Sequence, residues 1–259
     1  MAGNSNTREQ TFLFVINTCK EILLKGSFRG SYAILHRNIG AIVARSSFQE
    51  LCDRLKGVIW SHIDVIINQI PRSNNDFLQA LSTAWANHQE CLQNIRIALL
   101  RPLRDIKSVN SVIQLYNGSK ERFTKIITSK TGVRDRYIHN LLDLFCRVRR
   151  GEEVHETLLV DVSRLLVCLE RNDKEVYEKK FVAPFVEQCI NFHRKETITF
   201  FAANSESTFI EYVQQRICDE RRWGQHVDRE TLNNIINTLE SMRTHRLEMI
   251  IITQGRVKK

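Results

Sequence analysis

Cys189 and His193 are the two residues whose types and spacing come nearest to a chemical site in this sequence. On a predicted helix, residues four apart share one face, so this thiol and imidazole could hold a metal ion together. A closed tetrahedral site needs four ligands, and no second close pair of Cys or His completes this one. We therefore interpret Cys189 as a core thiol and His193 as a surface imidazole, and we expect no metal or other cofactor.

The motifs that mark common catalytic sites do not occur in the sequence. It contains no HExxH, no GxSxG, no phosphate-binding loop and no GxGxxG. An enzyme should bring together an acid, a base or a nucleophile with groups that stabilise the reacting atoms, and the spacing of the titratable residues suggests no such set. The sequence therefore predicts a protein that is not an enzyme, with no catalytic residues and no small-molecule substrate.

Basic residues are concentrated in the first part of the chain. Residues 1–150 hold 22 Lys and Arg against 11 Asp and Glu, whereas residues 151–259 hold 16 against 18. Two local clusters are Arg101, Arg104 and Lys107, and Arg147, Arg149 and Arg150. A basic half suggests an acidic partner, either protein or nucleic acid. Because the aromatic residues fit core stripes and no nucleic-acid-binding motif occurs, a solvated basic face is favoured over nucleic-acid binding.

The cysteines indicate the cellular compartment. There are seven of them, an odd number, widely spaced and without a CxxC pair. This usage is typical of buried free thiols in a reducing compartment, and it predicts a protein of the cytoplasm, the nucleus or both. The polar N-terminus has no signal-peptide pattern, and no apolar run approaches the ~20 residues of a membrane span, so we expect no membrane association.

Apolar residues recur with helical period along most of the chain. With 3 Pro and 10 Gly in 259 residues, breakers are scarce, which favours long helices. Gly26 suits the C-cap of the first helix, and Thr131-Gly132 predicts a break after the fifth. The stripes predict ten helices in two groups of five, over about 12–25, 32–43, 48–70, 76–100, 108–128, 137–150, 158–169, 176–201, 209–222 and 231–246. The expected fold is therefore all-α.

Four strings of residues, in this order along the chain, resemble segments of the cullin family. Residues 77–88 (FLQALSTAWANH) resemble FLxxLxxxWxxH, and residues 141–152 (LLDLFCRVRRGE) resemble LLxLIxxERxGE. Residues 176–185 (VYEKKFVAPF) resemble VYExDFExPF, and residues 209–217 (FIEYVQQRI) resemble YLxxVExRL. Details within the first and third strings are most similar to the cullin that recruits BTB-domain adaptors.

The resemblance implies a fold of two stacked five-helix cullin-type repeats that form an elongated helical stalk. The first repeat is expected over residues 10–130 and the second over 131–253. A disordered N-terminal tail is expected over 1–9, and a basic C-terminal tail over 254–259. In cullins a third repeat leads to a C-terminal domain that holds a RING partner. Because the sequence given stops after the second repeat, we expect no RING recruitment and no ligase activity of its own.

The resemblance also implies a partner-binding surface. In cullins the first repeat binds a substrate adaptor through its second and fifth helices, which predicts a scaffold associated with ubiquitin-dependent protein catabolism. We expect Phe28 and Tyr32 to be apolar anchors and Arg104 a charge contact, with His36 and Ile106 beside them. The segment that opens the second helix is four residues shorter than in the family, and Ile106 stands where the family has an aromatic residue. Since aromatic anchors often dominate interface energy, the alternative is a degenerate cullin-like scaffold that binds no adaptor.

Overall fold

Every regular element among the described residues is a helix. The computed structural model describes the backbone of residues 2–71, 74–225 and 227–257, with side chains described within residues 7–244. The helices are α1 (Ala2–Lys25), α2 (Tyr32–Ala44), α3 (Phe48–Gln69), α4 (Asn74–Leu100), α5 (Ile106–Ser129), α6 (Thr131–Arg149), α7 (Glu156–Asn172), α8 (Lys174–Val176), α9 (Ala183–Ala203), α10 (Glu206–Gly224) and α11 (Arg229–Val257). No strand occurs in the described residues. The all-α fold class is confirmed.

Local sequence signals explain where several helices begin and end. Gly26 follows α1 with a φ of +76°, and Gly151 follows α6 with a φ of +77°, the left-handed conformation that ends a helix most easily at glycine. The Ser31 side chain accepts a hydrogen bond from the Ile34 backbone N–H at 3.4 Å and so caps α2. At the start of α5, the Asp105 carboxylate accepts from the backbone N–H of Ser108 at 2.8 Å.

The contacts divide the chain into two compact units, Met1–Val133 and Arg134–Lys259. The helical break lies at Lys130, between α5 and α6, so that the glycine predicted to mark it belongs to the first turn of α6. The predicted repeat boundaries stay predictions, as do the two tails, although α1 already begins at Ala2. In the first unit, α3 and α5 pack side by side over a core in which the Phe123 ring is fully buried.

A π-helical segment, Tyr177–Val182, joins α8 to α9, so the eighth predicted helix corresponds to one continuous helical path. Within it the Ala183 N–H bonds to the carbonyl of Glu178, five residues back. Pro184, at the start of α9, has no N–H to donate, and a wide turn before it accommodates that loss. None of the helices among the described residues combines the length and apolarity that crossing a membrane requires.

Candidate functional site

Three of the five residues predicted to bind a partner form one cluster at the start of α2. The rings of Phe28 and Tyr32 meet edge to face with centroids 5.4 Å apart. The rings of Tyr32 and His36, one helical turn apart, have centroids at 6.1 Å and a tilt of 57°. Edge-to-face aromatic pairs stabilise each other by about 0.5–1.5 kcal/mol beyond the area they bury. We call Phe28, Tyr32 and His36 the aromatic cluster.

The aromatic cluster presents apolar surface to solvent around the first turn of α2, where Tyr32 is the first residue of the helix and the inward-packing residues begin only at Leu35. Tyr32 is 40% exposed, and Phe28 and His36 are half-buried. Ile34, which the sequence did not single out, is 43% exposed on another side of α2, because residues two apart do not share a helix face. The residues of α2 buried in the core are Leu35, Ile39 and Ile42. A helix held by that buried stripe and exposing an aromatic cluster at its first turn is suited to bind a protein partner.

Gly30 determines where the Phe28 ring lies. A Cβ atom at Gly30 would come within 2.3 Å of Cζ of Phe28 and 2.6 Å of Cε2, so the ring occupies the space that any other residue would fill. The sequence contained a signal for this arrangement, namely a glycine two residues after an aromatic residue and directly before the N-cap Ser31. That signal is too common in loops to identify a packed ring by itself.

Arg104 and Ile106, the other two predicted residues, lie at the connection between α4 and α5. Ile106 is the first residue of α5 and is 79% exposed. Arg104 is exposed, and its guanidinium donates a long hydrogen bond of 3.5 Å to the Leu103 carbonyl. Among the contacts described, none joins either residue to the aromatic cluster. Both side chains are therefore accessible to a partner. That they share one surface with the aromatic cluster stays a prediction.

A second group of polar residues forms a buried ion network in the second unit. Arg149 of α6 donates from Nε to Oε1 of Glu220 in α10 at 2.8 Å, and from a terminal nitrogen to Oε2 at 3.3 Å. Nε2 of His193, in α9, lies 2.9 Å from Oε1 of the same carboxylate. The side chains of Arg149 and Glu220 are 4% and 3% exposed. We call Arg149, His193 and Glu220 the buried ion network.

The environment of the network keeps Glu220 ionised. Burial by itself raises the pKa of this carboxyl, but the hydrogen bond from His193 and the positive charge of Arg149 outweigh burial and lower the pKa to about 2. Burial raises the pKa of the neighbouring Cys189 thiol to about 12, although Arg149 opposes that rise. At neutral pH the network therefore contains a carboxylate and a guanidinium that compensate each other, next to a protonated thiol.

The interpretation of His193 as a surface imidazole is wrong, since its side chain is buried with 2% of its surface exposed. His193 lies four residues after Cys189 on the same face of α9, and Cys189 is buried too. The ligand atoms of Cys189, His193 and Glu220 lie within 4.8 Å of one another. A metal ion there would have to displace the Arg149 guanidinium from the carboxylate. The donor set consequently fits a structural ion pair better than a metal site.

The basic cluster at residues 147–150 offers little charge to nucleic acid. Arg149 is buried in the ion network, and Nε of Arg147 bonds to Glu152 at 2.8 Å. Arg150 also lies 3.7 Å from a Glu152 oxygen. The sequence missed the role of Arg149, yet a signal existed because it falls four residues after the core residue Phe145 on the same helical stripe.

The described cysteines are all free thiols. Cys146 is partly exposed and Cys218 exposed, whereas the side chain of Cys168 lies outside the described residues. The buried ones are Cys19, Cys52, Cys91 and Cys189. Their burial agrees with the role in the core that their spacing predicted, and the cellular compartment stays a prediction.

Comparison with known proteins gives one consistent result. The family model described as "Cullin: Cullin alpha solenoid domain" matches residues 14–255. The chain is 23% identical to Cullin-3 of Caenorhabditis elegans over 96% of its own length and 33% of the relative's. It is 21% identical to Cullin-3 of Dictyostelium discoideum, over 84% of the chain and 28% of that protein, and 21% identical to Cullin-3B of Arabidopsis thaliana, over 90% and 32%. The chain thus spans about a third of the length of these relatives, and the resemblance carried by the four strings is confirmed.

Proposed function

The chain belongs to the cullin family, and from that premise we propose that it is a protein-interaction scaffold that binds a substrate adaptor of a ubiquitin ligase, of the BTB type. The scaffold would act in ubiquitin-dependent protein catabolism. Its contribution is to hold a partner in place, because the large hydrophobic side chains exposed on α2 and at the start of α5, namely Tyr32, Ile34 and Ile106, offer contact area to a partner.

The exposed aromatic cluster at the start of α2 is the observation that carries the proposal. In the family the second helix of the first repeat contacts the adaptor, and here that helix presents Tyr32 at 40% exposure and Ile34 at 43%. Tyrosine is enriched among the residues that dominate binding energy, because a large rigid ring can be buried at little cost in conformational entropy. The neighbouring rings of Phe28 and His36 restrict the Tyr32 side chain before a partner arrives.

The departures of this chain from the family pattern are compatible with binding. The second helix starts directly at Tyr32, so the ring lies in the first turn, next to the loop that carries Phe28. Ile106 replaces the family's aromatic residue at the second element, and with 79% exposure it still offers apolar area to a partner. We expect a smaller anchor there to bind less strongly than an aromatic one.

The proposal is tested by measuring binding of the purified chain to immobilised adaptors, with a panel of BTB domains and other cullin adaptors. Tyr32→Ala should weaken binding by at least about 30-fold, the equivalent of about 2 kcal/mol for a buried tyrosine anchor. Val65→Ala is the matched control, because Val65 is 49% exposed on α3 of the same unit. The control should change affinity less than about 2-fold.

Circular dichroism and the free energy of unfolding show that each variant stays folded, since both positions are exposed. Equal affinity of Tyr32→Ala and the parent chain would refute the aromatic cluster as the anchor. Binding to no adaptor would leave the degenerate scaffold. Salt-sensitive binding to a random oligonucleotide instead would favour the nucleic-acid alternative.

A further inference from the structure

We infer that the adaptor which this chain binds carries an apolar socket rimmed by carboxylates. The affinity of the chain for that adaptor then depends on the chain's basic residues around the aromatic cluster. The inference rests on the proposed function and adds the chemistry of the partner. It follows from the charges on and around α2.

The segment that carries the aromatic cluster contains no acidic residue. The chain holds 29 Asp and Glu, yet none of them falls between Gly26 and Gln49. Three arginines occur there, and all three are exposed: Arg29, Arg37 and Arg45. Arg29 directly follows Phe28, and Arg37 directly follows His36, so two positive charges flank the three rings along the chain.

These arginines differ in their partners from the basic residues of the first unit that form ion pairs. Arg8 and Arg54 form ion pairs with Glu50, and Lys25 pairs with Glu21. Within the described part of the chain, no carboxylate forms an ion pair with Arg29, Arg37 or Arg45. Guanidinium groups remain charged at any physiological pH, so their field extends to an approaching partner.

The connection that contains the other two predicted residues has the same sign of charge. Arg101, Arg104 and Lys107 are all exposed. The acid among them, Asp105, is engaged by the backbone N–H of Ser108 as the cap of α5, and its pKa is lowered mainly by that hydrogen bond. Both predicted elements of the surface therefore combine exposed apolar residues with exposed basic residues nearby in the chain.

A partner that covered this surface with neutral or basic groups would bind poorly. Like charges brought together across an interface repel each other, whereas opposite charges at the rim accelerate association. Charges at the rim act mainly on the association rate, and buried apolar anchors act mainly on the dissociation rate. This difference separates the role of Arg37 from the role of Tyr32.

The test is to measure association and dissociation rates for the adaptor that the chain binds best in the panel, at about 0.1 M and about 1 M salt, where the screening lengths are about 10 Å and about 3 Å. Arg37→Glu should slow association about tenfold at the lower salt and have little effect at the higher salt, with dissociation nearly unchanged. Replacing a rim carboxylate of the adaptor by Lys should restore binding to Arg37→Glu.

Arg194→Glu is the matched control, because Arg194 is an exposed arginine on α9 in the other unit and its reversal changes the net charge equally. The control should leave the association rate within about 2-fold. If Tyr32→Ala abolishes binding but neither salt nor Arg37→Glu alters it, the inference is overturned and the proposed function stands. Equal effects of Arg37→Glu and Arg194→Glu on the association rate would overturn the inference too. Association would then depend on the net charge of the whole chain and not on the charges around the aromatic cluster. Binding to no adaptor at either salt would overturn both.

Discussion

Replacing Glu220 by glutamine should remove much of the stability of the second unit. The amide has nearly the same shape as the carboxylate, but it leaves the Arg149 guanidinium buried without a negative charge, in a site where the two side chains are 4% and 3% exposed. Breaking a buried ion pair by removing one partner typically costs about 3–5 kcal/mol. The lowered pKa of Glu220, from 4.5 to about 2, corresponds to about 3 kcal/mol. Both routes give a loss of about 3 kcal/mol.

Hydrogen exchange of the intact chain, read by mass spectrometry, measures this loss where it should occur. Peptides from α6, α9 and α10 should lose about 3 kcal/mol of protection in Glu220→Gln, whereas peptides from α3 and α5 should not change. The control is Glu175→Gln, which breaks the Lys179 ion pair whose side chains are 72% and 75% exposed. An exposed pair contributes less than about 1 kcal/mol. A loss below 1 kcal/mol in Glu220→Gln would refute the reasoning.

The pH dependence supplies a second check on Glu220. Because its pKa is lower in the folded chain than in the unfolded one, the stabilisation is complete above about pH 4.5 and is lost as the pH falls toward about 2. The difference between the parent chain and Glu220→Gln should therefore be largest at neutral pH and shrink across that window. A difference that is constant from pH 7 to pH 2.5 would contradict the assigned cause. The double variant Arg149→Met, Glu220→Leu should recover most of the stability, because it removes both charges.

Two further predictions concern the first unit. His88 is buried, and neither ring nitrogen is hydrogen-bonded. Burial, with a smaller contribution from His62, lowers the pKa of His88 from 6.5 to about 4, so stability should fall by about 3 kcal/mol as the pH drops from 6.5 to 4. In urea titrations His88→Leu should remove most of that dependence and leave the part due to His62, whose pKa burial also lowers; an undiminished dependence would contradict the assignment to His88. Gly30→Ala should displace the Phe28 ring and so weaken adaptor binding about tenfold. The free energy of unfolding should stay within about 0.5 kcal/mol of that of the parent chain. Unchanged contacts between Phe28 and Tyr32, measured by NMR, would contradict this prediction.

The helix positions and the family can be predicted from residue types alone. Helix positions follow from local causes, namely the 3.6-residue period of apolar residues and a glycine such as Gly26 where the chain turns left-handed. The four cullin-like strings are also local, and they identified the family before any contact was known. The exposure of Tyr32 does not follow from this period, because Tyr32 lies three residues before Leu35 and seven before Ile39, on the stripe that packs inward.

The contacts between polar residues, by contrast, depend on how the helices pack against each other. Arg149 and Glu220 are 71 positions apart in the chain, and His193 joins them from a third helix. A residue's place on one helix says which face it occupies, but burial depends on what the neighbouring helices bring to that face. Burying an imidazole is costly unless a hydrogen-bond partner offsets the loss of water around it. For His193 that partner is a carboxylate on another helix, which the pattern of α9 alone does not reveal. The position of the Phe28 ring over Gly30 likewise depends on backbone geometry, which residue types alone do not specify.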